Sequence, residues 1–348
     1  PVILPLVEPY RIAYETVESV TNVLVCVETD GDLLGFGCAA PDQVVTGESA
    51  ETVMRAIREV VSPAVRGEDP LRWTAILESL RPAMAGAPSA LAAVDMALFD
   101  LLGKRAGIPV HKLLGGYREG GMMTSITIGI LPEPETVARA RAHVAAGFRS
   151  LKIKGGDHPR EDAERVLAVR RAVGEQVEIR FDANQGYTAE QALAFVALSE
   201  SARIEVLEQP TPRESLDALG EVTRGVRIPV MADESLMTLR DAFRLAQGDF
   251  ADMVNVKLMK VGGLAEAVQI KGVARAAGMA ELSRCMEEAG MGIAAGLHFA
   301  LARPNVAYAD LDGHLDLRDD PTAGAVLLRD GMLFPTGAAG LGFNPDLF

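Results

Sequence analysis

Lys154, Asp182, Glu208, Asp233 and Lys257 follow one another along the chain at intervals of roughly one βα unit, and each closes a short β-rich run: SLKIK, VEIRFD, IEVLE, IPVMAD and MVNVK. A single charged residue just past a strand is ordinarily a solvated loop position, because Lys, Asp and Glu are rarely buried without a partner. Five in phase point instead to one shared site at the C-terminal ends of the strands. Asp182, Glu208 and Asp233 come from adjacent runs and offer oxygen ligands with no His or Cys among them. That donor set suits Mg²⁺, which keeps open positions for water and substrate oxygens. A bound dication can hold a substrate carboxylate and stabilise the charge that develops when its α-proton leaves. Lys154 and Lys257 belong to the second and sixth runs, which a closed barrel sets on opposite sides. Racemisation requires a base on each face of one carbon, one to remove the α-proton and one to return it. Each lysine must be neutral to act as the base, and a nearby metal or second ammonium lowers its pKa in that direction. Lys152 lies close enough to lower the pKa of Lys154 or to touch the substrate carboxylate. Lys260, a turn beyond its strand, reads as a solvated or supporting residue.

The elements that must position these residues are legible as an alternation. β-rich runs stand at TSITIGI (124–130), SLKIK (150–154), VEIRFD (177–182), IEVLE (204–208), IPVMAD (228–233), MVNVK (253–257), MAELS (279–283) and VAYAD (306–310). Helical patterns such as PETVARARAHVAAG and EDAERVLAVRRAVG lie between them. Eight βα units of this size predict a closed (β/α)₈ barrel, a modified TIM barrel, over residues 117–312. The Gly-rich first turn of an open doubly wound sheet is absent. Residues 1–116 read as a smaller α+β domain. In TNVLVCVETDGDLLGFGCA two β-rich runs meet at Asp30-Gly31, a hairpin signal. In SALAAVDMALFDLLGKRAG, Leu91, Val94, Leu98 and Leu101 share a helix face, with Ser89 as the expected N-cap and Gly107 near the stop. Residues 313–348 contain no further βα unit and are expected to return to the small domain.

Composition narrows the partners. The 348 residues carry 48 acidic against 34 basic side chains, a formal charge of -14, which removes the basic footprint of a nucleic-acid binder and argues against an anionic membrane surface. Its ordinary consequence is colloidal solubility. Cys26, Cys38 and Cys285 are an odd number without CxxC spacing, so a reducing cytoplasm is the expected setting. No apolar run reaches the length of a membrane helix, and PVILPLVEPY lacks the basic start of a secretory signal. The chain does not begin with Met, and a short N-terminal piece is expected to be missing. A homo-oligomer is expected.

At these residues the sequence resembles the enolase superfamily, in its muconate lactonizing enzyme subgroup. LKIKGG, RFDANQGY, EQP, MADES and NVKLMKVGG are similar to the subgroup's barrel motifs, in order, and GFGCAAPDQVVTGES and AAVDMALFDLLGKRAGIPVHKLLGG to its capping-domain and linking segments. The resemblance spans nearly the whole chain. It implies that the α+β domain caps the barrel mouth, that Asp182, Glu208 and Asp233 hold Mg²⁺, and that Lys154 and Lys257 are the bases. A His base after the seventh strand would have indicated the mandelate racemase subgroup; a Lys on the sixth argues against it.

The end of the barrel looks like dipeptide epimerases. RCMEEAGMGI is similar to their seventh-strand loop, which holds the dipeptide backbone, and brings in Cys285 and Glu287. ADLDGHL matches their Asp-x-Asp motif for the substrate α-ammonium, at Asp310 and Asp312. Two carboxylates two residues apart at a strand end can grip one ammonium. Thr127, inside the first strand, falls near the substrate in such enzymes. The sequence also departs from the pattern. Arg284 stands where relatives commonly carry Gly, Glu287 precedes the family's Glu at Glu288, and GFGC replaces a Trp- and Glu-bearing form. Glu15, in RIAYETV, stands where acidic-dipeptide epimerases carry an Arg, so a cationic or hydrophobic C-terminal residue is expected rather than Glu. The same lysines and metal also serve o-succinylbenzoate synthesis, muconate cycloisomerisation and racemisation of N-acylated or proline-type amino acids. Three further features read as structural: His298 in an apolar helix, the Gly pair of KVGG as a turn rather than a phosphate site, and Trp73 as packing; Cys285 has no His to activate it and is not expected to act as a nucleophile.

Overall fold

The computed structural model describes residues 1–11 and 16–343. Glu15 lies outside them. The first domain opens with an antiparallel sheet of β1 (Val2–Arg11), β2 (Thr16–Glu28) and β3 (Leu34–Ala39). The Asp30-Gly31 hairpin joins β2 to β3 as expected, with Thr29 and Leu33 closing its loop. The helix Pro88–Ala106 packs on β3, and Gly35 and Gly37 permit the approach: a Cβ on either would collide with the carbonyl of Ala97 or Ala93. This helix ends at Gly107 in the left-handed region (φ 70°), as the sequence predicts. Its start differs. The N-cap is Ala87 and Pro88 opens the first turn; the amides of Ser89 and Ala90 donate to the Glu48 carboxylate at 2.9 and 3.3 Å. The cap comes from a distant loop instead of from Ser89.

The second domain is the expected barrel. After the short β4 (Met122–Met123) come β5 (Ile126–Ile128), β6 (Ser150–Lys154), β7 (Glu178–Asp182), β8 (Val206–Glu208), β9 (Val230–Ala232), β10 (Met253–Lys257), β11 (Ala280–Arg284) and β12 (Val306–Asp310). The eight strands β5 to β12 are parallel neighbours in chain order, and a parallel bridge from Thr124 to Ala309 closes the ring. Strand alternation then decides everything about the interior. In β6, Leu151 and Ile153 join the main apolar core, so Lys152 and Lys154 face the barrel axis. Lower down the axis Val206, Met231, Met253 and Leu282 form a separate apolar plug. The polar mouth therefore rests on a dry floor.

Two carboxylates of the first domain anchor it to the barrel or its tail. Asp95 accepts from the amides of Leu264 and Ala265, at 2.5 and 3.0 Å, and so caps the helix Leu264–Ala276 that follows Gly262-Gly263. The KVGG turn thus delivers its helix N-terminus to an internal carboxylate, which leaves no phosphate site there. Asp100 accepts from Leu341 N at 2.7 Å, and Val110 N donates to Gly340 O at 2.9 Å. The hairpin β13 (Val326–Arg329) and β14 (Met332–Pro335) pairs with β4 beside the barrel.

Candidate active site

Register brings the charged strand ends to one level. Lys154 is paired with Asp182 and Asp182 with Glu208; on the other side Lys257 is paired with Arg284 and Arg284 with Asp310. Asp182, Glu208 and Asp233 are all buried, and each offers a carboxylate oxygen within 4.8 Å of the others. Lys154 Nζ donates to Asp182 Oδ2 and to Asn184 Oδ1, both at 2.8 Å. Lys257 Nζ lies 2.8 Å from Asp233 Oδ2. The two lysines thus flank the carboxylate trio from strands four apart in the ring. Lys152 sits one layer deeper and bridges Glu208 (2.6 Å), Asp182 (3.0 Å) and Asp310 (3.0 Å). Lys260 is not solvated: it is buried and donates to the backbone and side chain of Asp233.

Arg284 completes the network in a way its sequence position did not announce. Its Nη1 lies 3.0 Å from Glu208 Oε1, 3.0 Å from Asp233 Oδ2 and 3.3 Å from Asp182 Oδ2, and its Nε lies 2.9 Å from Asp310 Oδ2. One cationic nitrogen is shared by all three carboxylates. The point common to the trio is therefore a cation-binding centre by geometry as well as by donor chemistry. Three hard, buried oxygen donors with no sulfur or imidazole fit Mg²⁺.

The charges act on one another. Burial alone would raise Asp182, but Lys152, Lys154 and Arg284 hold it well below the usual carboxylate range. Glu208 goes the other way, raised by burial and then by Asp182. Burial and Arg284 lower Lys154 against the pull of Asp182. Lys154 is thereby moved toward the neutral form a base requires. For Lys152, Asp182, Asp310 and Glu208 outweigh burial and keep it firmly protonated. Lys152 is thus an internal counter-ion.

Above the carboxylates lies a cavity of about 460 Å³ between the domains. Its walls include Lys154, Asn184, Lys257 and Arg284 from the barrel, Cys285 to Glu287 from the loop after β11, and Thr16 to Thr21 of β2 with the loop after β3. Glu287 also borders a smaller recess that contains Thr127, Asp312 and Asp316. Asp310 and Asp312 reach different partners. β12 ends at Asp310, whose carboxylate accepts from Ser125 Oγ at 2.7 Å besides Lys152 and Arg284. Asp312 lies off the strand and accepts from Thr127 N at 2.6 Å. Burial, then Asp310, pushes Asp312 up to about 7. Burial also raises the Cys285 thiol well above its ordinary value, which fits a packing role. His298 stacks on His111 with ring centroids 5.2 Å apart, remote from nucleophilic work.

Residues 2–115 match the family model of the mandelate racemase/muconate lactonizing enzyme N-terminal domain, and residues 135–347 match the enolase C-terminal domain-like model. The chain belongs to this family. It is similar to an L-Lys-D/L-Arg epimerase of Methylococcus capsulatus, 40% identical over 98% of this chain and 96% of the relative. It is also similar to a hydrophobic dipeptide epimerase of Enterococcus faecalis, 39% identical over 98% of this chain and 96% of that one. Among solved structures, the M. capsulatus dipeptide epimerase complexed with Mg and L-Arg-D-Lys superposes with a TM-score of 0.94, at 39% identity over 98% of this chain and 96% of the other.

Within this family site, four residues escape a reading of strand ends alone. Asn184 holds Lys154 and donates to Glu234 Oε1 at 3.3 Å; its φ of 43° belongs to the turn directly after β7. Asn255, two residues before Lys257 on the same inward face, donates to Glu208 Oε1 at 2.8 Å. Ser125 and Arg180 brace β12 through Asp310 and the Ala309 carbonyl. Inward alternation back from Lys257 was the available signal for Asn255.

Proposed function

We propose that this protein is a Mg²⁺-dependent dipeptide epimerase. It inverts the α-carbon of the C-terminal residue by 1,1-proton transfer between Lys154 and Lys257. The observation that carries the reading is the pair of buried lysines on opposed strands flanking one three-carboxylate centre. Asp182, Glu208 and Asp233 would hold the metal, and Lys260 and Asn255 fix two of them. When bound, Mg²⁺ supplies a divalent charge that offsets the negative charge developing on the substrate carboxylate. Lys154 in its neutral form takes the proton from one face, and Lys257 as ammonium returns one from the other. β2 and the loop after β3 wall the cavity on the side of the first domain.

Asp310 is already paired with two cations, so the contact to the substrate α-ammonium falls on Asp312, beside Thr127 and Glu287. Asp312→Asn should raise KM for dipeptides about tenfold, the order of one charge-assisted hydrogen bond, with a smaller change in kcat. An unchanged KM would remove Asp312 from the ammonium site.

The substrate class we assign is non-acidic, cationic or hydrophobic at the epimerised residue. Glu15, which lies outside the described residues, stands in the sequence where acidic-dipeptide epimerases carry an Arg, and the M. capsulatus and E. faecalis relatives are named for cationic and hydrophobic dipeptides. The deciding experiment incubates a dipeptide library with enzyme and Mg²⁺ in D₂O and reads single-deuteron incorporation by mass spectrometry. L-Ala-L-Lys or L-Ala-L-Phe should exchange with a higher kcat/KM than L-Ala-L-Glu. A preference for L-Ala-L-Glu overturns the substrate class; products of β-elimination or lactone formation without exchange overturn the epimerase. The three free cysteines and the expected lack of a basic surface support a cytoplasmic setting.

A further inference from the structure

We propose that Arg284 is a tethered cation of the carboxylate centre, and that Mg²⁺ binds by displacing its guanidinium while Nε remains hooked on Asp310. The inference rests on reading Asp182, Glu208 and Asp233 as the metal ligands. Arg284 Nη1 makes hydrogen-bonding contacts of 3.0–3.3 Å with an oxygen of all three. One nitrogen within reach of all three carboxylates stands where a shared cation would, so guanidinium and metal compete for one place.

Charge makes the competition obligatory. Four carboxylates, Asp182, Glu208, Asp233 and Asp310, are contacted by Lys152, Lys154, Lys257, Lys260 and Arg284. A dication added beside a guanidinium in contact with the same oxygens would meet a like charge at a few ångströms in a buried site, where Coulomb repulsion is weakly screened. Lysines can relieve such a clash by losing a proton. Arginine cannot, because its guanidinium stays charged at any pH a protein survives. Its only way out is to move.

The structure provides both a pivot and a destination. Nε is held by Asp310 at 2.9 Å, a contact separate from the three that Nη1 makes with the trio. The adjoining cavity is lined by Arg284 itself and carries Glu18, Asp42 and Glu287, carboxylates toward which a displaced guanidinium can swing. Arg284 adds one shared cationic contact to three buried carboxylates that Lys152, Lys154, Lys257 and Lys260 already pair, so its departure strands none of them. The centre therefore alternates between an internal and an external cation. Metal affinity is reduced by the fraction of molecules in which Arg284 holds the trio.

The test is Mn²⁺ binding followed by electron paramagnetic resonance and calorimetry on the full chain, native and Arg284→Gln. Arg284→Gln should bind Mn²⁺ about tenfold more tightly, or better, if Arg284 occupies the trio in nine molecules of ten. Equal or weaker binding overturns the proposal. A second measurement reads the native protein. In native protein labelled with ¹⁵N-arginine, the Nη resonances of Arg284, assigned by their loss in Arg284→Gln, should shift when Mg²⁺ is added while its Nε–H signal persists. Unchanged Nη resonances at saturating Mg²⁺ overturn the proposal as well. Tighter binding by Arg284→Gln, with no dipeptide turned over by the native enzyme, supports displacement and overturns only the substrate reading.

Discussion

Alanine at Lys257 should leave the enzyme able to exchange the α-proton of only one substrate epimer, and alanine at Lys154 should leave the other. Net epimerisation should fall about 10³-fold or more in each, since a positioned general acid or base contributes roughly 10²–10⁴. The geometry makes these clean experiments. Without Lys154, Asp182 still contacts Lys152 at 3.0 Å and Arg284 at 3.3 Å. Without Lys257, Asp233 still has Lys260 and Arg284. Neither variant strands a buried carboxylate, so the fold and the metal centre should survive. Each pure epimer is incubated in D₂O and followed by proton NMR for loss of the α-proton signal. The two-base mechanism predicts mirror-image results. Loss of exchange from the same epimer in both variants would rule it out, as would full turnover in either.

The sequence spoke clearly wherever a local rule was sufficient. Strand alternation and the βα spacing set Lys154, Asp182, Glu208, Asp233 and Lys257 at one level, and the structure assembles them there. It was silent where partners are chosen across the fold. Arg284 was visible as an unusual residue, but its contacts depend on the register of β11 between β10 and β12. Lys260 read as either solvated or supporting, and it is supporting; nothing local shows that the segment after β10 is buried under the helix Pro88–Ala106. Ser89 had the chemistry of an N-cap, yet Glu48, from a separate loop, takes that role. The two-residue spacing of Asp310 and Asp312 implies a shared side only while the strand continues. β12 stops at Asp310, and Asp312 (φ -101°, ψ -9°) turns to the Thr127 amide instead. In each case a long-range contact overrode a correct local rule.

Glu281→Gln should stabilise the protein in alkaline solution and do little in acid. Glu281 lies on β11 facing away from the barrel axis, paired in register with Val254, and its side chain is fully buried. Among the described residues, neither carboxylate oxygen has a hydrogen-bond partner. Burial pushes the carboxyl up to about 8 from its ordinary 4.5, and Lys271 on the helix Leu264–Ala276 offsets only part of that. The sign follows from proton linkage. Between about 4.5 and 8 the folded protein binds a proton at Glu281 that the unfolded chain has released. This contribution to stability is therefore greatest below the unfolded value and is lost as pH rises through the folded one. Above it the fold must carry an unpaired buried carboxylate. Glutamine mimics the protonated form at every pH. Each tenfold difference in proton affinity between the folded and unfolded chains is worth about 1.4 kcal/mol, so the gain at pH 9 is of the order of a few kcal/mol, or roughly 5 °C in Tm for a chain of this size. At pH 5 it should be close to zero. Scanning calorimetry of both proteins at the two pH values measures the difference directly. An equal gain at pH 5 and pH 9 would mean that the benefit is packing or helix contact, and that Glu281 is ionised in the folded state throughout.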